Sequence, residues 1–104
     1  MAQAVAQCPV TEAIQVIGGK WKLLVLRSLL LNGPQRYNEL LGTVTAISQK
    51  ELTRNLRELT EAGLVARDSG TSRMARYALT KLGKGLMPAF RKLLTWGTKL
   101  LASR

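Results

Sequence analysis

Gln49, Lys50, Thr53, Arg54 and Arg57 are spaced so that several hydrogen-bonding and cationic groups fall on one side of a single short segment. Gln and Arg suit the edges of adenine and guanine, and Lys serves either a base or a phosphate. Lys50, Arg54 and Arg57 fall opposite Leu52, Leu56 and Leu59 at about 100° per residue. Arg57 has a second use open to it, because Glu61 lies four residues on and can hold it in a surface ion pair. A lone thiol, Cys8, directly precedes Pro9. There it can be a nucleophile, since a helix N-terminus favours thiolate, or a small packing residue.

The element that must carry the first set is well specified. Ser48 is a good N-cap, and Glu51 three residues on completes a capping box. Ile47 and Leu52 can form a hydrophobic staple, and Leu52, Leu56 and Leu59 make a buried stripe. Gly63 suits the left-handed residue past the end, with Leu64 contacting Leu59 as in a Schellman motif.

The remaining pattern predicts the frame. Residues 1–7 are small and polar and read as frayed. Pro9 opens a short helix with Val10, Ala13, Ile14 and Ile17 on its apolar side, and Gly18-Gly19 breaks it. Lys20 to Leu31 is apolar on most sides, which predicts a helix buried in mid-domain, and Asn32-Gly33-Pro34 stops it. Gln35-Arg36 reads as a very short strand and Tyr37 to Leu41 as a short helix with Leu40 and Leu41 inward. Gly42 to Ile47 then connects to the capped cationic helix, giving a helix-turn-helix.

Leu64–Asp68 and Met74–Leu79 read as two strands around turn residues 69–73, a hairpin wing that carries Arg67, Arg73 and Arg76 for phosphate or minor-groove contact. Thr80 can cap a last helix in which Leu82, Leu86, Phe90, Leu93, Gly97 and Leu100 recur, with Leu94 and Leu101 beside them. Pro88 must kink or restart it. Trp21, Trp96, Tyr37 and Tyr77 lie in apolar patterns and read as packing residues, in the core or at an interface. The expected fold is mainly α with a small β-hairpin wing, one winged helix-turn-helix domain over residues 1–104, with 80–104 as a dimerisation helix.

Composition narrows the chemistry. With 16 Lys+Arg against 6 Asp+Glu the net charge is +10, which favours a polyanionic partner. There is no histidine, so no His triad or His-ligated metal site forms within the chain, and one Cys with six carboxylates is a poor metal set. Gly18-Gly19-Lys20 is followed by Trp21 and so is not a phosphate-binding loop, and Gly83-Lys84-Gly85 is not a dinucleotide fingerprint. These absences argue against an enzyme, a cofactor or a metal. No signal peptide and no transmembrane run is visible, which points to a cytoplasmic, nucleoid-associated protein that does not enter membranes.

In order along the chain, CPV (Cys8–Val10), IGGKWKLLVL (Ile17–Leu26), GPQRYNEL (Gly33–Leu40), ISQKELTRNLREL (Ile47–Leu59), EAGLVAR (Glu61–Arg67) and YALTKLGKGL (Tyr77–Leu86) resemble the HxlR family of bacterial winged-helix regulators, relatives of the MarR group. The resemblance implies a homodimer on a pseudo-palindromic double-stranded DNA operator, joined through the first and last helices. It also implies, for some members, an oxidant- or electrophile-sensing cysteine near the N-terminus, where Cys8 stands. Members usually carry a proline-containing wing tip and an acidic residue before the Tyr. Here Arg73-Met74-Ala75-Arg76 stands there, and Tyr37 replaces a more usual Phe.

The expected DNA-binding residues are therefore Arg36, Ser48, Gln49, Lys50, Thr53, Arg54, Arg57, Arg73 and Arg76. The expected dimer seam is Val10, Ile14, Leu86, Phe90, Leu93, Leu94, Gly97 and Leu100. Two rival readings are a small basic RNA-binding or ribosome-associated winged-helix protein and a membrane-surface protein using the last helix. The scarcity of aromatics, 5%, counts against the RNA-binding platform.

Overall fold

The computed structural model describes residues 8–68 and 75–104. The segment read as frayed, 1–7, and the hairpin turn with Arg73 and Met74 lie outside the described residues. The elements are α1 (Pro9–Ile17), α2 (Lys22–Asn32), β1 (Gln35–Arg36), α3 (Tyr37–Thr43), α4 (Gln49–Glu61), β2 (Val65–Arg67), β3 (Arg76–Leu79), α5 (Lys81–Lys84) and α6 (Met87–Ala102).

Leucines and valines build one core. Val25, Leu26 and Leu29 of α2 meet Leu40 of α3, Leu52, Leu56 and Leu59 of α4, and Val65 of β2. The helix expected to lie buried in mid-domain is buried along Val25, Leu26, Ser28 and Leu29, while Leu24 and Leu31 are exposed. Its apolar surplus thus faces outward on one side.

A closed polar ring fixes α3 against α2. Gln35 donates to the Ser28 hydroxyl at 2.9 Å and to the Ser28 carbonyl at 3.0 Å. Thr43 donates back to Gln35 at 3.0 Å, and the Ser28 and Thr43 hydroxyls lie 2.7 Å apart. Each buried polar atom in the ring gains a partner, which removes the penalty of burying it and leaves one arrangement favoured.

The sheet is antiparallel in the order β1-β3-β2. β1, expected as a very short strand, joins the wing: Gln35 pairs with Tyr77 and Arg36 with Arg76. β2 pairs Val65 with Leu79, Ala66 with Ala78 and Arg67 with Tyr77. Both strands are shorter than the sequence pattern suggests.

Pro88 restarts the last helix rather than kinking it. Proline has no N–H to give to Lys84, four residues back, and its ring clashes there. Thr80 caps α5, its hydroxyl accepting from the Gly83 amide at 3.1 Å. The chain turns through Gly85 and Leu86, and α6 begins with Pro88 in its first turn. The segment expected as one dimerisation helix over 80–104 is therefore two helices.

Candidate nucleic-acid interface

The helix α4 is set at both ends by local chemistry. The Ser48 hydroxyl accepts from the Glu51 amide at 3.1 Å, and the Glu51 carboxylate accepts from the Ser48 amide at 3.2 Å. At the far end Gly63 has φ +82, a left-handed conformation glycine adopts at no steric cost. Its amide reaches the Thr60 carbonyl and that of Leu64 reaches the Leu59 carbonyl, each at 3.0 Å, a complete Schellman motif. Buried Ile47 precedes the cap, as the staple requires.

With Leu52, Leu56 and Leu59 turned into the core, Gln49, Lys50, Thr53, Arg54 and Arg57 are all exposed. They line one shallow depression together with Tyr37. The Tyr37 hydroxyl donates to the Gln49 carbonyl at 2.9 Å and lies 2.8 Å from the Thr53 hydroxyl. Tyr37 has one proton, so Thr53 donates to Tyr37. That leaves Thr53 its lone pairs and its methyl for an incoming groove. Ser48 is likewise committed: its proton goes to Glu51 at 3.0 Å, so its role is the cap rather than a free donor. Arg57 forms no ion pair with Glu61; the pair present among the described residues is Lys22–Glu58 at 2.8 Å.

The wing arginines fall on two faces. Side chains alternate along a strand, and Gln35 points into the core, so Arg36 and its cross-strand partner Arg76 share the opposite face. Like charges directly opposite repel, and an anion would relieve this; the Arg36 Nε is buried without a hydrogen-bond partner. Arg67 lies on the other face. With Arg57, Thr53, Thr60, Glu61, Leu56, Tyr37 and Tyr77 it lines a notch of about 380 Å³ between α4 and the wing. Arg73 lies outside the described residues. The structure thus groups Gln49, Lys50, Thr53, Arg54 and Arg57, adds Arg67 and Tyr37 to them, and sets Arg36 and Arg76 apart.

Sequence reasoning did not give Tyr37 its role. Its hydroxyl was visible as a departure from the commoner Phe, but its partner lies 16 residues away.

The terminal helices contrast with α4. Neither α1 nor α6 has a buried residue. Val10, Ile14, Leu93 and Leu94 are exposed, as are Trp96 and Leu101, while Leu86, Phe90, Gly97 and Leu100 are half-buried. An apolar groove of about 390 Å³ runs between α1, the end of α4 and α5, lined by Val16, Ile17, Leu64, Leu82 and Leu86 among others. Cys8 is the N-cap residue of α1. The Thr11 amide and hydroxyl, then the Val10 amide, lower its thiol below the ordinary range, because each stabilises the thiolate.

The model of the HxlR-like helix-turn-helix family matches residues 16–104. The chain belongs to that family. It is 45% identical over 85 residues to the uncharacterized HTH-type transcriptional regulator YkvN of Bacillus subtilis (strain 168), covering 80% of this chain and 71% of that protein. Among solved structures it resembles the redox regulator HypR in its reduced form, with TM-score 0.81 and 33% identity over 93% of this chain and 100% of that one. It also resembles quinone-bound YodB from B. subtilis, with TM-score 0.76 and 32% identity over 88% of this chain and 99% of that one. The protein is thus a transcriptional regulator of the helix-turn-helix type with a winged-helix fold, and its relatives are regulators rather than enzymes. Among the described residues no helix is long and apolar enough to cross a membrane, and no cluster of metal-binding side chains forms.

Proposed function

We propose that the protein binds a pseudo-palindromic double-stranded DNA operator as a homodimer, and that modification of Cys8 alters this binding. The observation that carries the reading is α4, locked by a cap at each end and displaying Gln49, Lys50, Thr53, Arg54 and Arg57 away from the core. Residues near the N-terminus of such a helix meet base edges in the major groove. Arg57 and Arg67 neutralise a phosphate at the notch, and Arg36, Arg73 and Arg76 meet the backbone beside the wing. The net charge of +10 supplies salt-dependent affinity, and the polar side chains of α4 supply sequence preference.

The homodimer is supported by helices that a single copy leaves uncovered. An isolated helix of α6's length is marginal in water, and exposed apolar faces of this kind mark association sites. The seam comprises Val10, Ile14, Leu86, Phe90, Leu93, Leu94, Gly97 and Leu100, and the whole chain acts as one DNA-binding unit.

Cys8 sits where α1 enters that seam. A quinone is attacked by the thiolate at a ring carbon: the S–C bond forms as the ring C=C pair shifts onto a carbonyl oxygen, which takes one proton from water, and the proton on the attacked carbon moves to the other oxygen, leaving a hydroquinone thioether. Diamide instead takes up two electrons and two protons as two thiols form a disulfide, and because the chain has one cysteine the second thiol belongs to another copy or to a small molecule. Either adduct changes the packing between copies and hence the spacing of the two recognition helices, which must match about 34 Å of DNA. The resemblance to HypR and quinone-bound YodB supports this reading.

The test is a selection from random duplexes, followed by titration of the chosen duplex with wild type and Cys8→Ser, each with and without diamide or a quinone. Wild type should prefer the selected duplex over both random DNA and single-stranded RNA, and only wild type should respond to the reagents. Its alkylation should set in at lower pH than that of an ordinary cysteine thiol, because the Thr11 and Val10 groups favour the thiolate. Equal affinity for all nucleic acids would exclude an operator, and an equal response of Cys8→Ser would make Cys8 a packing residue.

A further inference from the structure

The Trp21 indole donates to Glu51 at 2.8 Å, joining residues 30 positions apart. An indole has one N–H and no acceptor, so this bond occupies its entire polar capacity. The Glu51 carboxylate is shared. One oxygen takes Trp21, and the other accepts from the Ser48 amide at 3.2 Å and the Ser48 hydroxyl at 3.0 Å. A single side chain therefore closes the capping box of α4 and fastens that first turn to the start of α2. Lys20 sits 4.6 Å from the centroid of the Trp21 ring, holding the ring's face and adding positive charge near the carboxylate. The Ser48 amide and hydroxyl, with Trp21 and Lys20 adding, keep Glu51 below the usual carboxylate range, so the acceptor is charged at neutral pH.

The segment before Trp21 is also constrained. A Cβ on Gly18 would fall 2.2 Å from the Ile14 carbonyl oxygen, and Gly19 has φ +97. The chain leaving α1 thus follows a path open only to glycine, directly into Lys20 and Trp21.

We infer that Trp21 is a positioning residue for sequence recognition: its N–H···Glu51 bond sets the angle of the first turn of α4 and ties that turn to the joint from which α1 departs. This rests on the reading of α4 as the recognition helix. Gln49, Lys50, Thr53 and Arg54 all ride on the tethered end. Hydrogen bonds to base edges weaken steeply with small errors in distance and angle, whereas long-range attraction of cations to phosphates does not. Loosening the tether should therefore erode discrimination and spare non-specific affinity.

The experiment uses the full chain with Trp21→Phe, which keeps a packed ring and removes the donor. Two quantities are measured: amide hydrogen exchange without DNA, and affinity for a selected and a random duplex. Exchange at residues 51–53, the first amides of α4 with hydrogen-bond partners, should accelerate about tenfold, the scale of one hydrogen bond to a charged group, with residues 25–29 unchanged. Affinity for the selected duplex should fall several-fold while that for random duplex stays constant. Glu51→Asp keeps the charge and the Ser48 hydroxyl's bond to the residue 51 amide, but draws the carboxylate back from the indole and from the Ser48 amide; with Trp21 intact, it should produce both changes without any disturbance of the ring. Unchanged exchange in both variants would overturn the tether, and faster exchange with an unchanged ratio of selected to random affinity would overturn the positioning role. If wild type prefers no duplex at all, the recognition reading itself fails, and the exchange measurement still decides whether the tether exists.

Discussion

The helices α4 and α6 are both amphipathic, yet they settle their apolar faces in opposite ways. In α4 the face is Leu52, Leu56 and Leu59, each at most 2% exposed. In α6 no residue is buried, and Leu94, Trp96 and Leu101 are more than 60% exposed. The first helix buries its apolar face within its own chain; the second leaves its apolar face largely exposed. On the proposed reading, this division keeps the element that would read DNA rigid and leaves the surface that would join two copies able to move.

The sharpest way to break the comparison is the same substitution in each helix. Leu59→Ala should cost about 2–5 kcal/mol of folding stability, since it opens a cavity in a close-packed core. Leu94→Ala should cost under about 0.5 kcal/mol at protein concentrations low enough to keep the chain monomeric. Urea unfolding of both at such dilution checks this, and equal losses would mean that α6 is packed within the monomer.

Reversing the second helix's role needs a charge. Leu94→Glu should weaken self-association by about 3 kcal/mol, roughly 100-fold, because an unpaired carboxylate enters an apolar seam. Sedimentation equilibrium reads this directly. The core of α2 to β3 should keep its helix content by circular dichroism. An unmodified chain that stays monomeric at micromolar concentration would remove the homodimer altogether.

Within the reading head, Arg54→Ala should lose about 1–3 kcal/mol on the selected duplex and relax preference at one position of each half-site. Arg67→Ala should weaken selected and random duplexes alike and make the dependence of affinity on salt shallower by about one phosphate contact. Anisotropy titrations over a salt series separate the two. Identical losses on both duplexes for Arg54→Ala would place that residue on a phosphate.

What the sequence revealed and what it hid follow from distance along the chain. The Ser48–Glu51 box, the Gly63 end and the leucine stripe of α4 depend on neighbours within a few residues, and each is where the pattern puts it. Pro88 was a choice between kink and restart, because proline forbids one hydrogen bond without saying how the chain then turns. The reach of Tyr37 to Thr53 and of Trp21 to Glu51 has no local signature, since both pairs meet only after α2, α3 and α4 have packed. Arg36 and Arg76 read as DNA-contacting residues from charge and position, but that they share one face of the sheet, with Arg67 on the other, emerges only once the strands are paired. β1 itself was legible, but its pairing with β3 was not.

A small stabilising effect is expected in the turn that joins α3 to α4. Ala46 has φ +71, the non-glycine positive φ found among the described residues. Left-handed backbone brings a Cβ too close to the following carbonyl and costs an alanine about 1–2 kcal/mol. Glycine removes that cost but adds freedom to the unfolded chain, which offsets roughly half of it. Ala46→Gly should therefore stabilise the fold by about 0.5–1 kcal/mol. It touches neither the α4 cap nor a side chain facing DNA, so affinity for the selected duplex should stay within a factor of about two. Thermal unfolding and a duplex titration on the same sample read both quantities. A destabilised Ala46→Gly would show that the turn is held by the Ala46 methyl rather than strained at it. The first turn of α4 would then owe its placement to that contact as well as to its caps.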